Sequence, residues 1–480
     1  MNVHIEERLD IPLCVDLDGT LLHSDTLWES LLFVLKKNPL MIFALILWFF
    51  QGRAYFKAKI AERVDLDPET LAYNEAVVTL VRDAYKKGRE TVLVTGAHQA
   101  VADAVADHLG IFKKIIASDE TVNNTGANKR EALLSAFGEN KFDYMGNSRA
   151  DIPAFNAAEK VIVVSPDRAA QRWHNNNQSD LLEGHGQGLK VMMKAMRPHQ
   201  WLKNILVGVP LLLTHELDNP ALWTAVIVAF FAFSFMAAAV YLVNDMLDLA
   251  ADRAHPRKCK RPLASGRLSI PHAILMTLVL SLAAIALGLF VSIEFTAILI
   301  GYAVMTTLYS LWLKRKLLID VFVLAGLFTV RIVAGTVAVG ATHSYWLLAF
   351  SLFFFLSLAF VKRYSELWKE LNQNATTAVG RGYKQVDFEM IGQAGISSAF
   401  AATLVLALYI DFQLSQGSYA MPALLWPLCP IILFLLLRIW MLARRGFMQD
   451  DPLVFLLEDW RSQCLCVFGG LFVLLAAMGI

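Results

Sequence analysis

Three carboxylates, Asp245, Asp248 and Asp252, close a long apolar run, and a basic stretch from Arg253 to Arg261 and Pro262 follows directly. At about 100° per residue the three share one helical face, so their charges would repel unless a cation sat between them. Hydrated Mg²⁺ suits that place, because it takes oxygen ligands, keeps several waters, and is usually shared between one or two carboxylates and substrate phosphates. The cluster therefore implies a diphosphate-bearing substrate. The bland alternative is a solvated helix end neutralised by Arg253, Arg257 and Lys258. Its position against a membrane argues the other way, since spare carboxylates at bilayer depth are expensive without a ligand.

Two further groups lie in apolar sequence. Asp320 and Arg331 fall about three turns apart on nearly the same helical face, where one suits a metal and the other a phosphate. Lys362 and Arg363, with Glu366 one turn on, end another apolar run and suit a phosphate clamp or a positive-inside anchor equally. In the polar first part of the chain, Leu13-Cys14-Val15 delivers Asp16 and Asp18 to a tight turn at Gly19. Ligand sites of open α/β sheets lie at such strand ends. Thr95 ends another β-like run, Lys129 opens a helix-like segment, and Asn147 and Asp151 follow a further strand.

The elements that must position these residues divide near residue 190. The chain has 480 residues, 56% of them hydrophobic, a mean hydropathy of +0.48 and a net charge of +1. That composition fits a membrane protein with a soluble part and gives no argument for nucleic acid. Residues 1–175 alternate short β-like runs with amphipathic segments, as in an α/β Rossmann-like domain. Residues 176–189 are rich in Asn, Gly and Ser and suit a linker, and 190–480 form an all-α polytopic membrane domain. About nine spans are expected there, at 201–214, 221–244, 272–291, 295–313, 317–339, 346–361, 394–411, 422–443 and 463–480. The alternate breaks that carry Lys and Arg, including Arg381, place the basic loops, the N-terminal domain and the acidic cluster on the cytoplasmic side of a bacterial-type inner membrane. The polar N-terminus shows no cleavable signal, and the five cysteines make no zinc or disulfide pattern. Within the first domain an insert at about 27–75 holds the apolar segment 39–50, which is too short to span and is flanked by Lys36, Lys37, Arg53, Lys57 and Lys59. It is expected to lie in the membrane interface rather than in so small a core.

Asn244-Asp245-x-x-Asp248-x-x-x-Asp252, followed by Arg261-Pro262-Leu263, resembles the first aspartate motif of the UbiA-type intramembrane prenyltransferase superfamily. Arg197 to Lys203 and Asn204, His255-Pro256, the Asp320 to Gly335 segment, Lys362 to Leu367, and the late stretch from Asp450 to Arg461 resemble its decaprenyl-phosphate phosphoribosyltransferase branch. The second region has only Asp320 where aromatic prenyltransferases carry a fuller aspartate motif, which favours the phosphoribosyl branch. The resemblance implies transfer from 5-phosphoribosyl 1-diphosphate to a polyprenyl (decaprenyl) phosphate, with release of diphosphate. Asp245, Asp248 and Asp252, with Asp320, would hold Mg²⁺, and no protein nucleophile is needed. Arg197, Lys203, Lys258, Arg261, Arg331, Lys362 and Arg363 are the candidates for phosphate groups. Asn204 and Asn244 would orient the water shell or ribose hydroxyls.

In their order along the chain, the strand-end residues of the first domain resemble the haloacid dehalogenase superfamily. This implies Asp16 as a nucleophile forming an aspartyl-phosphate, Asp18 as general acid and base, and Thr95 and Lys129 as phosphoryl ligands. Asp16, Asp18, Asn147 and Asp151 would surround Mg²⁺, although Asn147 stands where the family usually has an acid. The combined expectation is a membrane transferase fused to a phosphatase that removes the 5-phosphate of its product. Prenyl transfer from an isoprenoid diphosphate to an aromatic or other acceptor, a lipid phosphatase with a membrane anchor, and a transporter are the rivals.

Overall fold

Strands covered by helices on both faces should be apolar throughout, and the first domain follows that rule. The computed structural model describes residues 9–64, 66–183, 188–212, 216–342, 344–373, 382–416, 419, 421–448 and 452–478. Arg381, Asp450 and Asp451 lie outside the described residues, as does part of the expected linker, 184–187. The chain divides into two units, Met1–Met196 with Leu242–Thr277 and Arg197–Tyr241 with Leu278–Ile480.

The first unit holds six parallel strands: β1 (Leu13–Val15), β2 (Thr91–His98), β3 (Lys114–Ser118), β4 (Asp143–Gly146), β5 (Val161–Val164) and β6 (Asp180–Leu182). Their order is β3-β2-β1-β4-β5-β6. The order reverses at β1, so the carboxyl ends of β1 and β4 border the crevice where such sheets bind ligands. Alternation sends Leu13 and Val15 into one helix-covered layer with Val77 and Val105, and Cys14 into the other with Leu133 and Phe155. β6 lies inside the segment expected to be a linker. Its three residues among polar neighbours carry too little periodicity to be seen in sequence.

The insert folds as three helices, α1 (Thr26–Lys37), α2 (Met41–Phe50) and α3 (Arg53–Ala61). Asp25 starts α1 by accepting hydrogen bonds from the Leu27 and Trp28 amides at 2.9 and 3.3 Å, an N-cap that satisfies orphan donors. Val34, Leu45, Phe56 and Ile60 join the three helices in a small cluster. Leu45 is the one residue of α2 that is buried, while Phe43, Leu47 and Phe50 are 67, 64 and 82% exposed. At roughly 15 Å, ten helical residues cannot cross a bilayer core.

The helix Pro220–Leu247 ends, from Leu242 on within the first unit, at the acidic segment, and a short helix, Leu249–Ala254, follows. Asp248 sits between them at φ −100° and ψ 16°. The three aspartates therefore do not share one continuous helical face, because the helix breaks at the middle one. Both flanking turns still close, with Asp248 N donating to Asn244 O at 2.9 Å and Asp252 N donating to Asp248 O at 2.8 Å.

Among the described residues, 7 helices are long and apolar enough to cross a membrane, against the nine expected. The segment at 201–214 is a 3₁₀ run, Pro198–Gly208, followed by the short helix Val209–Leu212. Pro198 and Pro210 each remove a backbone donor there. The last apolar helix, Trp460–Ala476, is shorter than the seven. The helix expected at 346–361 runs on as Tyr345–Gln373, straight through Lys362 and Arg363. In the second unit, Phe233, Phe295, Tyr302 and Leu327 belong to one apolar cluster, and Phe355, Phe360 and Trp440 to another.

Candidate active sites

β1 leads directly into Asp16, whose amide donates to Met145 O at 2.9 Å and so keeps the acid in register with β4. Lys129, at the start of the helix Ala127–Phe137, lies between two acids, 2.8 Å from Asp16 Oδ1 and 2.7 Å from Asp151 Oδ1. All three side chains are buried. Gly19, at φ +79°, turns the chain after Asp18, and a Cβ there would collide with the Asn147 amide, so that amide is packed against the Asp16–Asp18 turn. Asp18 Oδ1 accepts from Thr26 N at 2.7 Å, which joins the turn to α1.

One ammonium serves two buried carboxylates, Asp16 and Asp151, with Asp18 nearby in the chain, and the proton affinities follow from that imbalance. Burial and the charge of Asp151 push the Asp16 carboxyl up to about 7 against the pull of Lys129. Burial, with the charge of Asp25, raises Asp18 well above the usual carboxylate range. Asp151 is also buried, but Lys129 and Ser148 outweigh burial and hold it below its ordinary value.

These oxygens suit a hard divalent ion, but not in the set first expected. Asp151 Oδ1 accepts from Lys129 and, at 3.0 Å, from Tyr144 OH, while Oδ2 accepts from the Asn147 and Ser148 amides at 3.2 and 3.1 Å and from Ser148 Oγ at 2.9 Å. Five donors leave Asp151 to orient Lys129 and the 147–148 loop rather than to face a metal. Asp16, Asp18 and Asn147 line a cavity of about 410 Å³ and remain the fitting donors. Thr95 is fully buried, its hydroxyl accepts from Ala97 N at 2.9 Å, and it is not among the cavity residues. Lys57, in sequence only a charge near the apolar insert, lines the cavity and donates to Gly96 O at 2.6 Å and Asn123 Oδ1 at 2.8 Å. No local spacing announces that role.

In the aspartate segment, Arg261 comes between Asp245 and Asp252. Its Nη1 is 3.1 Å from Asp245 Oδ1 and hydrogen-bonds Asp252 Oδ2. Lys258 Nζ is 3.9 Å from Asp252 Oδ1, and the exposed Asp248 pairs with Lys36 of α1 at 3.6 Å. Burial raises the Asp252 carboxyl despite Arg261. Asn244 Oδ1, next in sequence to Asp245, is buried with no hydrogen-bond partner among the described residues, a hard oxygen able to take a cation or donor. Among those residues no three acidic, His or Cys side chains gather as a ligand group, so the expected three-carboxylate cage is not formed. Two carboxylates and an amide oxygen still match Mg²⁺, which completes its shell with water and substrate phosphate.

In the second unit, Arg331 Nε donates to Asn204 Oδ1 at 2.9 Å and Nη2 donates to Tyr302 OH at 3.0 Å, all three residues buried. Asn204 Nδ2 donates in turn to Ser234 Oγ at 3.0 Å. Gly335 allows this meeting, because a Cβ there would strike the Val207 carbonyl of the 3₁₀ run. Lys203 is buried on the same run with its Nζ 5.9 Å from the Phe328 ring, and the Arg331 guanidinium is 5.4 Å from that ring. Arg197 stacks at 5.3 Å over Tyr241. Arg331 thus meets Asn204 directly and shares the Phe328 ring with Lys203.

Asp320 does not join Arg331. Eleven residues of helix put them roughly 16 Å apart along the axis, and Asp320, fully buried, bonds instead to Arg363 Nε and Tyr383 OH. Arg363 spends its other nitrogens on Glu366 at 2.5 Å and Tyr309 OH at 2.9 Å. Asp320 is therefore not an open metal ligand, nor Arg363 an open phosphate ligand; each neutralises the other inside the helices. Lys362, next along, is only partly buried.

The UbiA prenyltransferase family model matches residues 204–457, and that of the haloacid dehalogenase-like hydrolases matches 13–156. An uncharacterized protein of Sinorhizobium fredii, y4nM, is 35% identical over 456 residues, covering 94% of this chain and 88% of its own. Nodulation protein NoeC of Azorhizobium caulinodans is 34% identical over 287 residues, 58% of this chain and 89% of that protein. Decaprenyl-phosphate phosphoribosyltransferase of Corynebacterium glutamicum is 34% identical over 233 residues, 47% of this chain and 69% of that one.

Proposed function

We propose that this protein, an integral membrane enzyme that belongs to the UbiA prenyltransferase family and carries a haloacid dehalogenase-like hydrolase domain before it, transfers phosphoribose from 5-phosphoribosyl 1-diphosphate to a polyprenyl phosphate and then removes the 5-phosphate. The single observation that carries the choice of donor is the closed pair of Asp320 and Arg363. With its one acid so occupied, the second segment offers no metal site for a prenyl diphosphate, while the first segment keeps Asp245, Asp252 and the unpartnered Asn244 oxygen together with Arg261. The 34% identity to a decaprenyl-phosphate phosphoribosyltransferase supports the same donor and lipid acceptor.

Bound Mg²⁺ would neutralise the leaving diphosphate at the aspartate segment and the phosphoryl oxygens at Asp16. Arg261 and Lys258 lie beside the acids, placed to bind diphosphate oxygens as charge leaves the ribose anomeric carbon. Arg331 and Lys203, held by Asn204 and the aromatic rings, bind a further phosphate group. The lipid phosphate is itself the nucleophile.

In the N-terminal domain, a carboxylate oxygen of Asp16 attacks the phosphomonoester phosphorus and Asp18 protonates the departing ribose oxygen. Asp18 then takes a proton from the water that cleaves the acyl phosphate. Lys129 favours the ionised form of Asp16 that attack requires. The exposed apolar face of α2 would rest in the cytoplasmic membrane interface and bring this site to a lipid-borne phosphate. Incubation of purified protein with Mg²⁺, labelled phosphoribosyl diphosphate and polyprenyl phosphate should yield a ribosyl lipid without the 5-phosphate by mass spectrometry. Asp16→Asn should instead accumulate the phosphorylated lipid; wild-type protein that accumulates it equally would refute the phosphatase assignment.

A further inference from the structure

The cavity in front of Asp16 has a second wall made by the segment that follows the aspartate cluster. Leu263, Leu268, Ile270 and Pro271 line it together with Asp16, Asp18 and Lys129, all within the first unit. Its volume, about 410 Å³, falls in the range of roughly 300–1,000 Å³ that accommodates drug-sized ligands. The lining thus combines charged groups with apolar side chains.

The segment is fixed rather than draped over the opening. Arg253 Nη2 and Nη1 donate to Glu29 Oε1 and Oε2 at 2.7 and 2.9 Å, a bidentate pair with side chains only 9 and 6% exposed. The same guanidinium donates to Thr70 O at 3.1 Å and Ala264 O at 3.1 Å. It therefore binds α1, the end of the insert and the wall itself. Gly266, at φ +71°, lies so close to His23 that a Cβ would collide with that side chain. The wall also closes on itself, with Leu268 N donating to Pro262 O at 2.9 Å.

We propose that this wall selects the substrate of the phosphatase: the cavity takes a phosphomonoester joined to an apolar group, and the transferase half supplies the surface that recognises that group. The inference rests on the phosphatase assignment above and adds the substrate class and the selecting residues. Arg253 and Glu29 are positioning residues that hold the wall in place. A free sugar phosphate would leave the apolar side chains uncovered by ligand and would gain nothing from them.

The test compares kcat/KM for phosphate release from octyl riboside 5-phosphate and from ribose 5-phosphate, both by the full-length protein in detergent. The wild type should favour octyl riboside 5-phosphate by at least about tenfold, in keeping with the discrimination apolar pockets achieve. Ile270→Thr should shrink that ratio several-fold, mainly through KM for octyl riboside 5-phosphate, and Glu29→Gln should shrink it by releasing the wall. Because the ratio is read within one sample, a loss of folded protein cancels. Equal kcat/KM for the two substrates in the wild type, or an unchanged ratio in both variants, would overturn the inference alone. Turnover of neither substrate would overturn the phosphatase assignment, and this inference with it.

Discussion

The two acid-rich sites of the first unit solve the same electrostatic problem with different backbones. At β1 the acids stand on a strand end, and one buried lysine, gripped by Asp16 and Asp151, holds the arrangement. At the aspartate segment the acids flank a helix break, and the compensating cations, Arg261, Lys258 and Lys36, come from loops and from the last turn of α1. In the proposed function the first would hold one phosphoryl group, and the second, whose Arg261 and Lys258 side chains are 30 and 47% exposed, would offer its cations to a diphosphate. Asp320 shows a third outcome, an acid so well matched by Arg363 that nothing remains for a ligand.

Removing one partner of a closed pair should do the most damage. Asp320→Ala would strand the Arg363 charge in the interior and cost about 3–5 kcal/mol, seen as a large fall in thermal unfolding temperature in detergent. Asp320→Ala with Arg363→Leu should recover much of it. If the double variant is no more stable than the single, the pair is not the reason for Asp320.

A smaller effect separates the strand-end site by pH. Asp16 in the folded protein titrates near 7 against an ordinary 3.8, so folding takes up a proton between those values. Stability contributed by Asp16 is therefore greatest at the acid end and falls as pH rises from about 4 to about 7, beyond which it is level. Without added Mg²⁺, the first domain should unfold at a lower temperature at pH 8 than at pH 5. Asp16→Asn should narrow the difference, and Asp18, raised in the same direction, should preserve part of it. An unchanged difference in Asp16→Asn would show that other groups set it.

The smallest effect belongs to the exposed pair. Lys36→Ala should change stability by about 0–1 kcal/mol, since Lys36 and Asp248 are 42 and 39% exposed. A loss comparable to that of Asp320→Ala would mean that the two kinds of pair do not differ as described.

Much of this was legible in the order of residues, for reasons that also mark where it stops. An apolar strand ending in Asp16-Leu17-Asp18-Gly19 is a local signal, and so is a run of acids after a long apolar helix. Helical spacing, however, states which face a residue occupies on an unbroken helix, and the break at Asp248 voids it. It also cannot say which neighbour meets that face. Asp320 and Arg331 look paired by periodicity, yet Arg363, 43 positions along, takes Asp320, and Asn204, 127 positions back, takes Arg331. The exposed apolar face of α2 was legible because ten apolar residues had too small a core to enter. The tie between Arg253 and Glu29 spans 224 positions and left no trace in spacing.

The proposed phosphoribosyl transfer at the aspartate segment is read from the entry of label from phosphoribosyl diphosphate into the lipid phase with polyprenyl phosphate and Mg²⁺. Wild-type protein should transfer label, and Asp245→Ala, still folded, should reduce the rate at least about 100-fold, the scale expected on losing a transition-state electrostatic contact. Equal transfer by Asp245→Ala would contradict the site, and transfer from a labelled isoprenoid diphosphate in place of phosphoribosyl diphosphate would contradict the reaction.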